Sequence, residues 1–370
     1  MDIRIILFII IVLLGSVGSY YRDNSKKFRK WYIIIIISLL VLESSLRSVS
    51  VGSDTLGYFN SFHNIGNYSW GEIWDLFEAS YVRGESRDPG FMVYMKLVSL
   101  LSTDFNFFLF VSALIFFIPL GIILYRFSSN VKQLVFAFTL FVALFNIMVL
   151  SGVRQQVATG FVFMSFLLLN KNKFLESLLL IGCGAFIHVS ALFFLLVPFI
   201  NMLLIRHIKF IHLASFFVIP YVIMYSSEIM LFLSSFLENS YYNVYGEQEA
   251  KGGAFLYIVL MEALSLFCYV AFFRVDLKKN KRLSLMYIML PLLTLTVPLI
   301  NLTGTMIRIG QYFTIYMMLL VPYAIDIIVK RKNRIFFYMC LVAALILLCL
   351  KSGSFEYQFF WQDNWYLTTS

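Results

Sequence analysis

The sequence predicts an all-α, polytopic integral membrane protein, and three observations carry that reading. Of its 370 residues, 61% are hydrophobic and only 13% are charged, a balance that excludes an ordinary soluble domain. The apolar residues come in runs of span or half-span length, with no soluble-length segment between them. Twenty of the 29 Lys and Arg residues sit in six short clusters, each at the end of such a run: Arg22 to Lys30, Arg126 to Lys132, Lys171 to Lys173, Arg206 to Lys209, Arg274 to Arg282 and Lys330 to Arg334. Basic clusters so placed mark the cytoplasmic side of a membrane. The net charge of +9 is therefore a signature of topology, and its distribution argues against a nucleic-acid partner.

Placing all six clusters inside orders the elements. Met1 to Ser19 ends in small residues as a signal peptide does, but Arg4 is balanced by Asp2 and the basic cluster follows the run, so it is read as the first span. Trp31 to Ser44 returns to the outside, where the largest outer loop, 45–90, holds Asp54, Glu72, Asp75, Glu78, Glu85 and Asp88. Phe91 to Leu101 is half a span and reads as a re-entrant or interfacial helix. Asn106 to Tyr125 goes in, Leu134 to Leu150 comes out, and Val153 to Leu169 goes back in. Phe174 to Leu204 lies between two basic clusters and is too long for one span, so it crosses twice and turns near His188, after Gly182, Cys183, Gly184 and Ala185. Ile211 to Tyr225 leads out to a second outer loop, 226–253, with Glu228, Glu238, Glu247 and Glu249. Ala254 to Phe273, Leu283 to Ile300, Met306 to Ile328 and Ile335 to Leu350 complete about twelve crossings with both ends outside. This predicts one transmembrane domain over 1–350 and an interfacial tail, 351–370, carrying Phe359, Phe360, Trp361, Trp365 and Tyr366.

The informative polar residues lie where apolar runs end. In SGVRQQ, Ser151 to Gln156, Arg154 stands between two apolar runs; with Ser151 as helix cap, it falls in a first turn, where unpaired N–H groups and the dipole favour anions. A guanidinium there makes a phosphate receptor; the alternative is an interfacial arginine that snorkels to lipid headgroups. Arg308, in GTMIRIGQYF, repeats the pattern, so the two helix starts are expected to converge on one anion. Arg47, Arg83 and Arg87 also fall on the outer side against the charge bias, and pairing with Asp54 or Asp88 is their structural alternative. His188 sits at the outer turn at the same depth, as a titratable group or a satisfied core residue. Glu262 lies mid-span, as a proton-coupled carrier requires or as a neutral acid bonded to a neighbouring helix. Asp326 is accounted for by Lys330 nearby. His63, His207 and His212 are scattered, no histidine pair has ligand spacing, and the four cysteines lie inside apolar runs. The sequence thus predicts no metal centre, no cofactor and no disulfide.

Four pieces, in this order, resemble the EpsG family of exopolysaccharide polymerases, related to the Wzy-type O-antigen and capsule polymerases: RSVSVGSDTLGYFNSF at Arg47 to Phe62, DPGFMVYMKL at Asp88 to Leu97, SGVRQQVATG at Ser151 to Gly160 and FIHVSALFFL at Phe186 to Leu195. A fifth, RIGQYFTIYMMLLVP at Arg308 to Pro322, is similar to the family's late Arg and Tyr segment. Where the family usually has Glu before Pro-Gly-aromatic, this chain has Asp88. The resemblance implies a multi-span, GT-C-like glycosyltransferase using lipid-linked sugar in the bacterial plasma membrane, with its site facing outward. It implies functional roles for Arg47, Gly52, Asp54, Tyr58, Asp88, Arg154, Gln155, His188 and Arg308, with Tyr312 in the late segment.

The residues themselves fit that chemistry. Undecaprenyl-diphosphate-linked donor and acceptor oligosaccharides present diphosphates at headgroup depth, where Arg154, Arg308 and Arg47 are expected to bind them. His188, Asp54 and Asp88 are the candidate bases, and Gln155, Tyr58 and Tyr312 further substrate contacts. Membrane lipids and a chain-length regulator are the other expected partners. Three readings compete: an O-antigen-ligase-like transferase, a polysaccharide flippase or transporter, and a noncatalytic scaffold of an export complex. Ionisable residues crowding one face argue against a transporter cavity, although an inverted repeat need not be visible in sequence.

Overall fold

A computed structural model describes residues 2–22, 25–81, 88–225, 228–229, 253–301, 306–351 and 356–362. Arg83, Glu85, Arg87, Glu238, Glu247, Glu249, Trp365 and Tyr366, singled out above, lie outside the described residues. Among those described the chain is helical, with one isolated antiparallel bridge between Arg47 and Phe359.

The chain packs as two compact units. The first comprises residues 1–68, 92–164 and 329–370. Its helices are α1 (Ile3–Arg22), α2 (Lys26–Ser45), α3 (Thr55–Asn67), α6 (Phe105–Phe127), α7 (Val131–Leu144) and α8 (Asn146–Ser151), with α18 (Arg334–Lys351) at the end of the chain. Helix α2 packs along α6, and α1 and α18 pack along α7. Small residues permit the close approaches, as membrane helices require. Gly121 of α6 faces Ile33 and Ile37 of α2, and Gly15 of α1 faces Val135 of α7. The core is aromatic: Phe116 lies 4.9 Å from Phe117 and 5.3 Å from Phe163, ring centre to ring centre.

The second unit comprises residues 69–91 and 165–328. It holds α4 (Trp70–Tyr81), α10 (Phe174–Ile187), a 3₁₀ segment (Val189–Leu195), α11 (Leu196–Leu203), α12 (Ile208–Met224), α13 (Gly253–Phe272), α14 (Lys281–Tyr287), α15 (Met289–Thr296), α16 (Ile307–Thr314) and α17 (Met317–Ile328). Helices α5 (Pro89–Ser99) and α9 (Val153–Asn170) contribute residues to both units. The run from Phe174 doubles back as expected: α10 ends at Ile187, His188 is extended, and Phe174 and Phe199 stand with ring centres 5.9 Å apart. His212 belongs to a buried core network, with Nδ1 2.9 Å from the Tyr287 hydroxyl and Nε2 2.9 Å from Ser265 Oγ, which lies 2.9 Å from Thr294 Oγ1. Glu262, one turn before Ser265, has buried carboxylate oxygens and interacts with Thr294.

Among the described residues, four helical stretches, over 105–127, 205–224, 255–272 and 281–300, are long and apolar enough to cross a membrane, and α16 with α17, bent by 45°, makes a fifth if counted as one span. Shorter apolar helices follow several other runs, including Ile3–Gly18, Val131–Leu144 and Phe174–Ile187. Within the segment 45–90, the described residues 45–81 hold α3 and α4, and 88–90 lead into α5.

Packing of α6 against α9 supplies a direct test. A Cβ at Gly160 would stand 2.4 Å from the Ile115 carbonyl oxygen, whereas one at Gly57 meets nothing within 4 Å. Gly160→Ala should cost about 1–3 kcal/mol, read as a lower unfolding midpoint in detergent. Gly57→Ala, exposed on α3, should instead gain about 0.5–1 kcal/mol.

Candidate active site

In the first unit the candidate residues gather around the C-terminus of α2. A helix end leaves its last carbonyls without intrahelical partners, and each is met here by a different group. Leu42 O accepts from the Leu46 amide at 2.9 Å, Glu43 O from the Tyr357 hydroxyl at 2.6 Å, Ser44 O from Arg47 Nη1, and Ser45 O from Asn106 Nδ2 at 2.7 Å. Arg47 therefore curls back under the helix end, where the negative end of the dipole favours a cation. Its side chain is 1% exposed, and Nε and Nη2 have no hydrogen-bond partner among the described residues. Burial lowers its guanidinium to about 10, so it stays charged at neutral pH. Glu43 and Tyr58, both buried, act on it electrostatically, and Glu43 Oε1 accepts from the buried Asn146 Nδ2 at 2.8 Å. From this position the charge of Arg47 acts beneath the loop, not at its surface.

The loop after Arg47 is seated on the SGVRQQ stretch by one glycine. Gly52 has φ +96°, and a Cβ there would stand 3.0 Å from Ser151 Cα and 3.1 Å from the Leu150 carbonyl oxygen. Left-handed backbone and close backbone approach both demand glycine. Ser151 does not cap α9, contrary to the expectation from sequence. It ends α8, with Gly152 as the junction residue, because the chain breaks at the flexible glycine and not at the hydroxyl. Arg154 remains in a first turn, as the second residue of α9, half-buried. Gln155 and Gln156 are buried, and Gln156 Nε2 donates to Ser44 Oγ at 3.4 Å, tying the start of α9 to the end of α2. Asp54 precedes α3 without capping it and accepts from Ser53 Oγ at 3.1 Å. The first and third motifs, 100 residues apart in sequence, thus meet in one unit.

The second unit joins the start of the DPGF motif, residues 88–91, to the fourth and fifth motifs. Asp88 Oδ2 lies 2.8 Å from His188 Nδ1, and Asp88 Oδ1 accepts from the Val189 amide at 3.1 Å. Both oxygens of the shorter carboxylate are thus engaged. Asp88 has φ +44°, a conformation rare outside glycine and held here by these two bonds and the following Pro89. A Cβ at Gly90 would stand 2.0 Å from the Phe186 carbonyl oxygen, so a bare glycine lets α5 start against the end of α10. A carboxylate on Nδ1 makes that nitrogen the donor and leaves the Nε2 lone pair as the acceptor. Two residues on, Ser190 Oγ lies 3.2 Å from the hydroxyl of buried Tyr312, which shares a face of α16 with Arg308 four residues earlier. Phe194 stacks on Phe313 at 6.1 Å, fastening the 3₁₀ segment to α16. Arg308 is half-buried in the first turn of α16, as expected.

Comparison with known families now bears on these groups, because the EpsG family model matches residues 30–365. The chain belongs to the EpsG family. EpsG is a Wzy-like polymerase family, and membership suggests an exopolysaccharide polymerase, a glycosyltransferase-like membrane enzyme. No curated protein and no solved structure matches this chain. The EpsG match contains all nine candidate residues, from Arg47 to Tyr312, and runs past α18 through the segment 356–362.

Sequence reasoning missed Glu43, Asn146, Ser190 and Tyr357. Glu43, a lone carboxylate closing an apolar run, carried a readable signal; Tyr357, which bonds a carbonyl 314 residues away, carried none. Segment 356–362, expected as an interfacial tail, is docked on the Arg47 loop, although Phe360 and Trp361 remain exposed. The Glu43 contact is testable by stability alone. Asn146→Leu strands a buried carboxyl and should cost about 1–3 kcal/mol in detergent unfolding, whereas Glu43→Gln, which still accepts from Asn146, should cost less.

Proposed function

We propose that this EpsG protein is a polysaccharide polymerase. It joins undecaprenyl-diphosphate-linked oligosaccharide repeats at the outer face of the plasma membrane, in a multi-span, GT-C-like frame of about twelve crossings. The observation that carries the reading is the Asp88–His188 pair, with Nδ1 to Oδ2 at 2.8 Å. As the acceptor hydroxyl attacks the donor's anomeric carbon, the new glycosidic bond forms and the bond to the diphosphate breaks. The diphosphate departs with the bonding electrons, and the hydroxyl proton passes to His188 Nε2. Asp88 holds the ring in the required tautomer and stabilises the imidazolium.

A leaving diphosphate needs positive charge. Arg154 and Arg308, each in the first turn of a helix, are the proposed ligands, with the buried charge of Arg47 supporting the first unit. Each charge-assisted contact contributes about 1.5–3 kcal/mol, and the part realised only in the transition state lowers the barrier. Asp54, Tyr58, Gln155 and Tyr312 are proposed as sugar or positioning contacts. This route calls on no metal ion, and a chain-length regulator is its proposed protein partner.

Purified protein supplied with the lipid-linked repeat tests the scheme. His188→Ala should slow elongation by roughly 10²–10⁴, and Asp88→Asn should slow it through the wrong tautomer. Arg154→Lys and Arg308→Lys should also fail to restore rate, because a point charge does not reproduce the guanidinium fork. A deletion strain should accumulate single lipid-linked repeats. Wild-type protein that fails to elongate, or that only moves finished chains to another acceptor, would overturn the proposal in favour of a carrier or a ligase.

A further inference from the structure

The C-terminal segment makes more bonds to the first motif than an interfacial anchor needs. Ser48 donates its amide to Gln358 O at 2.9 Å, Phe360 donates its amide to Leu46 O at 2.9 Å, and the Tyr357 hydroxyl donates to Glu43 O at 2.6 Å. Ser50 Oγ adds a contact to Gln358 Oε1 at 3.4 Å. These bonds run along the loop that carries Arg47 and leads to Gly52, and Gly52 in turn lies on the backbone at Leu150 and Ser151, just before Arg154.

The chemistry at the helix end says why a separate segment is useful there. Glu43 O and Ser44 O are neighbouring carbonyls at the helix end, the first met by the Tyr357 hydroxyl and the second by Arg47 Nη1. Tyr357 takes Glu43 O, so Arg47 engages Ser44 through one nitrogen and keeps Nε and Nη2 for other partners. Burial raises the Tyr357 phenol, which keeps it a neutral donor.

We propose that residues 356–362 form a clamp belonging to the substrate site, in which Tyr357 is a positioning residue: it touches no substrate and acts through the 46–52 loop on the start of α9 and Arg154. This rests on the role of Arg154 proposed above. Loss of the clamp leaves every substrate-contacting residue in the chain but lets the loop, and the α9 N-terminus beneath it, wander.

Two full-length variants probe it. Tyr357→Phe removes only the hydroxyl. Phe360→Pro removes the amide that bonds Leu46 O, together with a partly exposed ring, at the first position of a 3₁₀ turn (Phe360–Gln362) that tolerates proline. In hydrogen exchange of detergent-purified protein, amides 46–50 should exchange about tenfold faster in either variant, with the rest of the described helices unchanged. In elongation of the lipid-linked repeat, kcat/KM should fall about tenfold, and the loss should be absent when Tyr357→Phe is added to Arg154→Lys, as expected of residues acting through one group. Unchanged exchange at 46–50, or full additivity with Arg154→Lys, overturns the clamp. If Tyr357→Phe does not fold, the same two measurements on Phe360→Pro decide the matter. If wild-type protein does not elongate, the polymerase reading fails, and the exchange data still decide whether the clamp holds the loop.

Discussion

The structure depends on what happens where a helix stops inside an apolar environment. Four carbonyls at the end of α2 must find donors, and water is a poor supplier where Glu43, Ser44, Ser45 and Arg47 are all buried. The chain answers with its own Arg47, with Asn106 from α6 and with Tyr357 from the far end of the sequence. This need draws a guanidinium, a carboxamide and a phenol to one helix end. The loop that follows inherits its position from that cluster, and Gly52 transmits the position to the start of α9.

A second constraint works in the other unit. Asp88 is held in left-handed backbone by bonds that both its carboxylate oxygens accept, and one of them, at Oδ2, sets the ring of His188. Strain retained at such a position is characteristic of functional sites, where surrounding structure determines the conformation. The histidine lies at a break between α10 and a 3₁₀ segment. Its backbone there is extended, so its side chain is placed by the break and not by helical periodicity.

The remaining polar groups of the second unit illustrate the opposite outcome. His212, Tyr287, Ser265 and Thr294 satisfy one another inside the bundle, so their chemistry is consumed by packing. A buried polar residue signals function only when its bonding leaves something over. Arg47 keeps two nitrogens without a hydrogen-bond partner among the described residues, whereas His212 has both ring nitrogens engaged.

Composition and apolar patterning alone determined the class, the order of apolar elements and the doubling back at His188, because burying apolar residues is a local, additive preference. The motifs also named the chemistry: an arginine in the first turn of α9, another in that of α16, and a carboxylate and an imidazole as candidate bases. Tertiary structure alone decided the partnerships. Asp88 rather than Asp54 orients His188, Ser151 ends a helix rather than capping one, and residues near the C-terminus complete the end of α2. Hydrogen bonds between groups 100 to 314 residues apart depend on where the packed helices leave donors and carbonyls facing each other. No periodicity records that.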